Sequence, residues 1–444
     1  MQANPVTTST LRDPPEVRPL EHSQAWMERA RRVIPGCAQT FSKGPMLFVQ
    51  GVAPNFVARA SGPHVWDVDG NQYLDYILGL GPIVLGHCNP EVDEAVKAQM
   101  SRGMSFSLPH PIEVELAEKL CELVPCAEMV RYGKNGSDVT SAAVRVARGF
   151  TKRDRIVCCG YHGWQDWYIG TTSRRLGVPD AVRELTSIFP YNDLEALDRL
   201  FQAHPDRIAC VIMEPVTFQA PKEGFLAGVK ELCHKHGALL VFDEIVTGFR
   251  LGLGGAQEHF GVVPDLACFG KGMANGFPLS AIVGRADVMQ CFNEVFFSFT
   301  HGGEALSLTA GLATLRVAEK QDLPGHLWRV GERLKTGTNH LLSERGIGAR
   351  AECVGLAPWT AIRFRDAAGQ DSMLLRSLFQ QEAIKRGILT HGNHMLSLSH
   401  TDAIIEGTLT IYAEVFDVLA EAIQEDNVAA KLEGTPMQPV IRPV

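Results

Sequence analysis

Short apolar runs alternate with amphipathic segments through the middle third of the chain. The apolar runs cover residues 155–159, 208–213, 238–242 and 266–269. Between them, residues 193–203 and 225–236 show helical spacing of their apolar positions. Buried strands separated by helices are typical of a mostly parallel sheet that is covered on both faces. The pattern therefore predicts an α/β fold around such a sheet.

The flanking regions predict further elements and a second domain. Helical spacing covers residues 21–33, 91–102, 112–123 and 137–149, and a new amphipathic helix begins near Leu323. Alternation from Val65 to Asp75 around Asp69-Gly70-Asn71 predicts a hairpin. We expect a mobile tail (1–20), an N-terminal segment that joins the small domain (21–70), a large domain (71–322) and a smaller α+β domain (323–444).

Composition and charge argue against several classes of function and indicate none directly. A chain of 444 residues is long enough for two or three structural units. Its net charge of −8, without a dense Lys/Arg cluster, argues against nucleic acid as a partner. The 11 cysteines lack zinc-ligand spacing, so we expect reduced thiols and no metal site. With no signal-peptide pattern and no apolar stretch of about 20 residues, we expect a cytoplasmic protein without a membrane span.

An acidic pair ends one of the predicted strands. The run Leu239–Phe242 leads directly into Asp243 and Glu244, and open parallel sheets bind ligands at the carboxyl ends of their strands. Nucleotide triphosphatases place a magnesium-binding acid similarly, but the chain lacks the G-x-x-x-x-G-K-[ST] loop of such sites. Taken alone, Asp243 is explained equally well as an acid that caps the next turn.

A lysine follows the next predicted strand. Lys271 lies between Gly270 and Gly272, just after Leu266–Phe269. Small and apolar neighbours can desolvate a lysine amine, which lowers its pKa and frees it to react with a carbonyl carbon. The structural alternative is an exposed loop lysine, the commonest situation for this residue type.

A turn of small residues precedes the helix predicted at residues 137–149. Asn135, Gly136 and Ser137 would offer backbone N–H groups and the positive end of the helix dipole to a phosphate, although an ordinary N-cap explains them too. Tyr161, within Gly160–Trp164, either stacks on a flat ring or fills the core. An amine, a carboxylate and an anion cradle together predict a pyridine cofactor that carries a phosphate.

These motifs resemble those of the class III, fold-type I aminotransferases that depend on pyridoxal 5'-phosphate (PLP), with the pattern of the glutamate-1-semialdehyde 2,1-aminomutases the most similar. The family pattern Asp-Glu-x-x-x-Gly-Phe-Arg is present at Asp243–Arg250, and Lys271 follows Asp243 at the family's spacing. The resemblance covers nearly all of residues 25–425. It implies a large domain with a mostly parallel, seven-stranded type of sheet and a smaller α+β domain.

The resemblance also implies roles for individual residues. Lys271 would bind the cofactor aldehyde and later move a proton between substrate and cofactor, and Asp243 would pair with the pyridinium nitrogen. Ile245 and Tyr161 would pack on opposite ring faces, and Thr300 would reach the phosphate of the neighbouring subunit in a homodimer with shared sites. The remaining residues of the expected cofactor site are Asn135, Gly136, Ser137, His162 and Glu214.

The segments that handle substrate depart from the aminomutase pattern. Lys43 replaces the family arginine, Leu80 a tryptophan and Gln219 an asparagine, and the family glutamate near residue 391 is missing. Polar residues occur instead after Thr300 and in the segment His391–His394. The substrate residues that we expect are Lys43, Gln219, His301, Glu304 and Asn393.

The leading hypothesis is an aminotransferase that moves an amino group from an amino acid donor to an aldehyde or ketone, for which a sugar-like carbonyl compound is one candidate. Two alternatives use the same cofactor: an intramolecular aminomutase and an epimerase, neither of which consumes a separate donor. A non-catalytic binding protein on the same fold is a further alternative, against which the retention of both Lys271 and Asp243 argues.

Overall fold

The computed structural model describes residues 19–439, so the predicted tail lies outside the described residues except for Pro19 and Leu20. The α-helices are α1 (Glu21–Val33), α2 (Pro90–Met100), α3 (Pro111–Leu123), α4 (Gly136–Thr151), α5 (Asp166–Ile169), α6 (Asp180–Arg183), α7 (Leu194–Ala203), α8 (Phe225–Lys235), α9 (Ala256–Phe260), α10 (Ala286–Met289), α11 (Ala305–Lys320), α12 (Leu323–Glu344), α13 (Met373–Lys385) and α14 (Asp402–Gln424). Short 3₁₀ turns cover Pro35–Cys37, Phe41–Lys43, Pro45–Leu47, Lys271–Ala274 and Gln290–Asn293.

The strands form three sheets. They are β1 (Val57–Ser61), β2 (His64–Asp67), β3 (Gln72–Asp75), β4 (Met129–Gly133), β5 (Arg155–Cys159), β6 (Thr186–Ile188), β7 (Ile208–Met213), β8 (Leu239–Asp243), β9 (Leu266–Phe269), β10 (Ser280–Gly284), β11 (Ala351–Leu356), β12 (Trp359–Phe364), β13 (Ile388–Leu389) and β14 (Asn393–Met395). The predicted helices at 91–102 and 112–123 each begin one residue earlier, at Pro90 and Pro111, because proline is favoured at the first helical position.

The central sheet has seven strands in the order β4-β10-β9-β8-β7-β5-β6. Every pair from β9 to β6 is parallel, whereas β10 runs antiparallel to both β9 and β4. The prediction of a mostly parallel sheet is therefore confirmed. The strands β4, β6 and β10 were not predicted, because they are either very short or rich in small and polar residues.

Helices cover both faces of this sheet, which explains the continuous apolar runs. All residues of β7, β8, β9 and β10 are buried. On one face, α4 packs against β7, β9 and β10, and on the other α8 packs against β8. The α11 helix joins α2 and α3 in the same outer layer and contacts the turn Lys271–Ala274. Because helices cover both faces, the carboxyl ends of the parallel strands and the loops that follow them remain accessible at one edge of the sheet.

The chain forms two smaller sheets in addition to the central one. The first, β1-β2-β3-β13, contains the predicted hairpin of β2 and β3, with Gly70 at φ +90° in its turn. Its last strand comes from the C-terminal region, because β13 pairs in parallel with β3. The second sheet has the order β11-β12-β14. The division of the chain into domains at residue 322 stays a prediction. None of the helices in residues 19–439 has the length and apolarity needed to cross a bilayer.

Candidate active site

A cavity of about 380 Å³ opens at the carboxyl ends of β5, β7 and β8 and at the turn after β9. Every predicted cofactor residue except Thr300 contributes to its wall. These lining residues are Asn135, Gly136, Ser137, Tyr161, His162, Glu214, Asp243, Ile245 and Lys271. The fold thus brings together residues that are spread over more than 130 positions of the sequence.

Asp243 is the last residue of β8 and is only 4% exposed. One carboxylate oxygen accepts a hydrogen bond from the Ile245 N–H at 3.1 Å, and the other lies 2.8 Å from Nδ1 of His162. Because a carboxylate only accepts, Nδ1 is the donor in this bond. The buried Nε2 of His162 has no partner among the described residues. The two bonds fix the orientation of the carboxylate at the base of the cavity.

Lys271 begins the 3₁₀ turn after β9 with φ +36°, in the left-handed region that a residue with a side chain rarely adopts. Desolvation lowers the pKa of its ammonium, and the nearby Arg250 adds to this effect, while Glu214 and Asp243 oppose it. Within the described residues its Nζ has no hydrogen bond or ion pair. The amine is accordingly more readily deprotonated than an exposed lysine.

Glu214 follows β7 and holds the backbone of the neighbouring loop. Its Oε2 accepts a hydrogen bond from the Tyr161 N–H at 2.8 Å. Desolvation raises the pKa of its carboxyl to about 7, and the charge of Asp243 adds to the shift, although His162, the Tyr161 N–H and Lys271 act in the opposite direction. Glu214 therefore exchanges its proton near neutral pH, unlike an ordinary surface glutamate.

The first turn of α4 is open toward the cavity. The N–H groups of Gly136 and Ser137 have no partner within residues 19–439. Asp138 is occupied instead, because its Oδ2 accepts from the Lys134 and Asn135 N–H groups at 3.0 and 2.8 Å. Free N–H groups at the start of a 16-residue helix form an anion site.

A glycine permits close approach to this turn. Gly163 has φ +106°, and a Cβ built there would lie 2.2 Å from Oγ of Ser137. That Oγ in turn accepts from the Trp164 N–H at 3.3 Å. The loop after β5 therefore packs directly on the start of α4, where a larger residue would separate them.

The predicted phosphate residue Thr300 and the predicted substrate residues are more scattered. Thr300 and His301 are exposed and line a separate cavity of about 570 Å³ beside Lys134 and Asp138. Lys43 lines a third cavity, of about 470 Å³, next to the first. None of these three predicted residues lines the cavity of Lys271.

The other predicted substrate residues have structural contacts. Glu304 caps α11 by accepting from the Leu306 N–H at 2.6 Å, and it pairs with Lys134 at 3.1 Å. Gln219 lies exposed in the loop after β7, and Asn393 pairs with Ala361 in the β12-β14 ladder. Neither Gln219 nor Asn393 lines the cavity that contains Lys271.

Several residues of the site were not predicted. Thr40 and Pro82 line the cavity from the N-terminal region, and Phe277–Leu279 line it beyond the lysine turn. Arg250 is fully buried and donates to the carbonyls of Gly81 at 2.8 Å and Leu396 at 3.0 Å. The Gly-Phe-Pro sequence after Lys271 was a usable signal for 277–279. Thr40 lies between two 3₁₀ turns, in a segment that has no periodic pattern.

Fold and cavity together define a PLP-dependent enzyme of the aminotransferase type. The chain belongs to the class III aminotransferase family, because residues 49–416 match the model of that family, described as "Aminotransferase class-III".

Individual relatives carry different names. The chain is 36% identical over 420 residues to the glutamate-1-semialdehyde 2,1-aminomutase of Alkaliphilus oremlandii, which covers 89% of this chain and 98% of the relative. It is 35% identical over 405 residues to the 3-aminobutyryl-CoA aminotransferase of Cloacimonas acidaminovorans, covering 89% of this chain and 96% of that protein. Among solved structures, the PLP-containing FumI protein of Sphingopyxis sp. MTA144 superposes with a TM-score of 0.86 at 29% identity, over 94% of this chain and 99% of FumI.

PLP is the cofactor, as predicted, and the cavity has groups that fit each part of it. Its phosphate needs donors, and the Gly136 and Ser137 N–H groups are free. Its ring nitrogen needs an oriented carboxylate, which Asp243 supplies. Its aldehyde needs an amine that loses its proton easily, and the pKa of Lys271 is lowered.

Proposed function

We propose that Lys271 binds PLP covalently in this chain and that Asp243 keeps the ring nitrogen protonated. The observation that carries this proposal is the convergence of an unpaired amine, an oriented carboxylate and a free helix N-terminus on one cavity. Ile245 and Tyr161 pack on the two faces of the ring. The remaining residues that bind the cofactor are Asn135, Gly136, Ser137, His162 and Glu214, with Thr300 acting across the subunit interface.

Each residue contributes through its position. PLP supplies an aldehyde that accepts amines and a ring that withdraws electrons from the carbon bearing the amine. Asp243 strengthens that withdrawal by holding a proton on the ring nitrogen, and His162 holds Asp243 in place from behind. The Lys271 amine would take the proton from the substrate carbon and deliver it to a carbon of the cofactor, and its lowered pKa favours the unprotonated form that this role requires.

The substrates we propose are an amino acid donor and an aldehyde or ketone acceptor, with a sugar-like carbonyl compound as one candidate. Support comes from Lys43 and Gln219, which replace an arginine and an asparagine of the aminomutase pattern. Neither residue lines the cavity of Lys271, so the aminomutase substrate pattern is not reproduced in that cavity. The aminomutase reaction is the second candidate, favoured by the 36% identity to a protein of that name. The two differ in whether a separate donor is consumed.

We propose further that the protein is a cytoplasmic homodimer with shared active sites. Thr300 is exposed beside Lys134, and Phe296 in the same loop is 75% exposed. An exposed aromatic next to an exposed polar residue is typical of a surface that a second subunit covers. All 11 cysteines are free, as expected in a reducing compartment.

An absorption experiment tests the transaminase proposal. The purified protein is expected to show a visible band from bound PLP, which disappears when L-glutamate or L-alanine is added while the matching 2-oxo acid is released. Lys271→Ala should abolish the band, whereas Lys235→Ala, which changes an exposed lysine of α8, should leave it intact.

Two outcomes would contradict parts of the proposal. A band that survives every amino donor favours the aminomutase or epimerase reaction over transamination. A normal band in Lys271→Ala would show that another residue binds the cofactor.

A further inference from the structure

One part of the wall of the cofactor cavity has few hydrogen bonds of its own. Thr40 lines the cavity that contains Lys271, and it belongs to residues 38–44, which we call the cavity turn. Among the described residues, one hydrogen bond leaves the cavity turn: the Leu47 N–H donates to the Gly44 carbonyl at 3.2 Å. The position of the cavity turn therefore depends on what holds the residues that follow it.

A cation–π contact reaches the cavity turn from a neighbouring loop. The guanidinium of Arg174 lies 4.5 Å from the centroid of the Phe41 ring. Both side chains are exposed, and exposed cation–π pairs contribute little to stability. This contact is therefore too weak to fix the cavity turn by itself.

The α13 helix anchors the residues that follow the cavity turn. Gln380 of α13 is fully buried. Its Nε2 donates to the Leu47 carbonyl at 3.0 Å, and its Oε1 accepts from the Val49 N–H at 2.8 Å. Buried hydrogen bonds of this kind are costly to break, because both partners would lose them away from water.

The C-terminal strap, residues 431–438, holds the same stretch by main-chain pairing. Thr435 and Gln50 exchange two backbone hydrogen bonds, of 3.0 and 3.1 Å. Gly434 allows this close approach, since a Cβ built there would lie only 2.2 Å from the carbonyl oxygen of Gln50. A larger residue at position 434 would push the strap away from Gln50.

The strap is itself fixed on α13. Gln381 holds it at two points: its Nε2 donates to the Lys431 carbonyl at 2.9 Å, and its Oε1 accepts from the Glu433 N–H at 2.8 Å. Further along, the Met437 N–H donates to Oγ of Ser377 at 3.0 Å, and the Met437 side chain is buried. The strap therefore connects a packed helix to the residues that follow the cavity turn.

We propose that the C-terminal strap positions the cavity turn at the wall of the cofactor cavity, so that Gly434 and Thr435 are positioning residues for substrate binding. Lys271 and Asp243 follow strands of the central sheet and do not contact the strap. Loosening the strap therefore weakens substrate binding more than it slows the chemical step. The proposal rests on the proposed function only in taking this cavity as the substrate site.

Two substitutions loosen the strap, and each has a matched control. Thr435→Pro removes the N–H that bonds the Gln50 carbonyl, whereas Thr435→Ala changes an exposed side chain and keeps both backbone bonds. Gly434→Val places a side chain against Gln50, whereas Gly348→Val adds one where nothing lies within 4 Å. All four variants should keep the visible band of bound PLP, which shows that each has folded.

Hydrogen exchange read by mass spectrometry tests the position of the cavity turn without any substrate. Peptides that cover residues 38–47 should exchange at least roughly fivefold faster in Thr435→Pro and Gly434→Val than in wild type. Both controls should match wild type, and peptides of β8 should be unchanged in every variant. Wild-type exchange of residues 38–47 in both strap variants would overturn the proposal.

Steady-state kinetics test the connection to substrate. The KM for the amino donor should rise at least roughly fivefold in both strap variants, while kcat stays within about twofold of wild type and the controls match wild type. A lower kcat at unchanged KM, or unchanged kinetics despite faster exchange, would also overturn the proposal. If wild type converts no amino donor, the transaminase proposal fails separately, and the same KM comparison is made with glutamate 1-semialdehyde.

Discussion

At the scale of single residues, the cavity places two carboxyl groups in contrasting environments. Asp243 is held by the imidazole of His162 and by a backbone N–H, whereas Glu214 accepts a single N–H, from Tyr161, and its carboxyl is desolvated. Desolvation raises the pKa of the Glu214 carboxyl to about 7, and carboxyls that exchange protons near neutral pH are common in active sites. Glu214 therefore makes the stability of the apoprotein depend on pH.

Glu214→Gln should stabilise the apoprotein, relative to wild type, increasingly as the pH rises. The pKa of Glu214 is raised from 4.5 to about 7, so its stabilisation is complete below about pH 4.5 and is lost as the pH rises through 7. Glutamine keeps an acceptor for the Tyr161 N–H but has no charge to desolvate. Relative to wild type, the free energy of unfolding of the variant should gain about 2 kcal/mol between pH 5.5 and pH 8.

Urea denaturation of the apoprotein at the two pH values measures this gain. Glu231→Gln, which changes an exposed glutamate of α8, is the control and should show a pH-independent difference. The same constant difference in Glu214→Gln would mean that its carboxyl is already ionised at low pH.

At the scale of elements, the start of α4 and the loop after β5 act together. Their contact depends on Gly163, whose φ is +106° and whose missing side chain leaves room for Ser137. Any shift of this loop moves the free N–H groups of the first turn. The anion site is therefore built from two elements rather than from the helix alone.

Gly163→Ala should weaken PLP binding by at least roughly tenfold, because the new Cβ displaces the Gly136–Ser137 turn. Gly177→Ala is the matched control: its φ is +91°, but a Cβ there meets nothing within 4 Å. Both variants should lose about 1 kcal/mol or more of stability from the left-handed backbone. Fluorescence titration of each apoprotein with PLP separates the two effects, and equal PLP affinities would rule out the proposed contact.

The elements differ in how well the sequence predicted them. Strands such as β7 and helices such as α1 were predicted at their observed bounds. A strand that is buried on both faces is a continuous apolar run, and a helix that is buried on one face has apolar residues at helical spacing. The short strand β6 and the 3₁₀ turns near Thr40 lack such a period and are fixed by contacts distant in sequence. The two cavities differ in the same way. The cofactor cavity was predicted because its residues follow regular strands, whereas no local motif indicated the cavity of Lys43.

At the scale of the whole molecule, the proposed homodimer makes a prediction that a monomer cannot satisfy. If Thr300 contacts the cofactor of the partner subunit, each active site takes Lys271 from one subunit and Thr300 from the other. Lys271→Ala and Thr300→Glu then damage the parts of a site that come from different subunits. Each variant alone should be inactive, because the first lacks the amine and the second places a negative charge near the phosphate. A refolded equal mixture should recover about a quarter of wild-type activity, since half of the dimers are mixed and each has one intact site.

The mixture needs two controls. Light scattering should give twice the chain mass of 48.6 kDa for each variant, which confirms that both assemble. Thr336→Ala, at an exposed position of α12, should be active by itself when it is used in place of Thr300→Glu. An inactive mixture of two properly assembled dimers would place Thr300 in the site of its own subunit.

The parallel pairing of β3 with β13 also sets the order in which the protein is completed during synthesis. β3 ends at Asp75, but its partner starts at Ile388, so a ribosome adds several hundred residues between them. At about 5–20 residues per second this takes tens of seconds. Throughout that interval the nascent chain presents an unpaired strand edge to chaperones and to neighbouring chains. A ribosome that stalls before Ile388 would release a chain prone to aggregate through this edge.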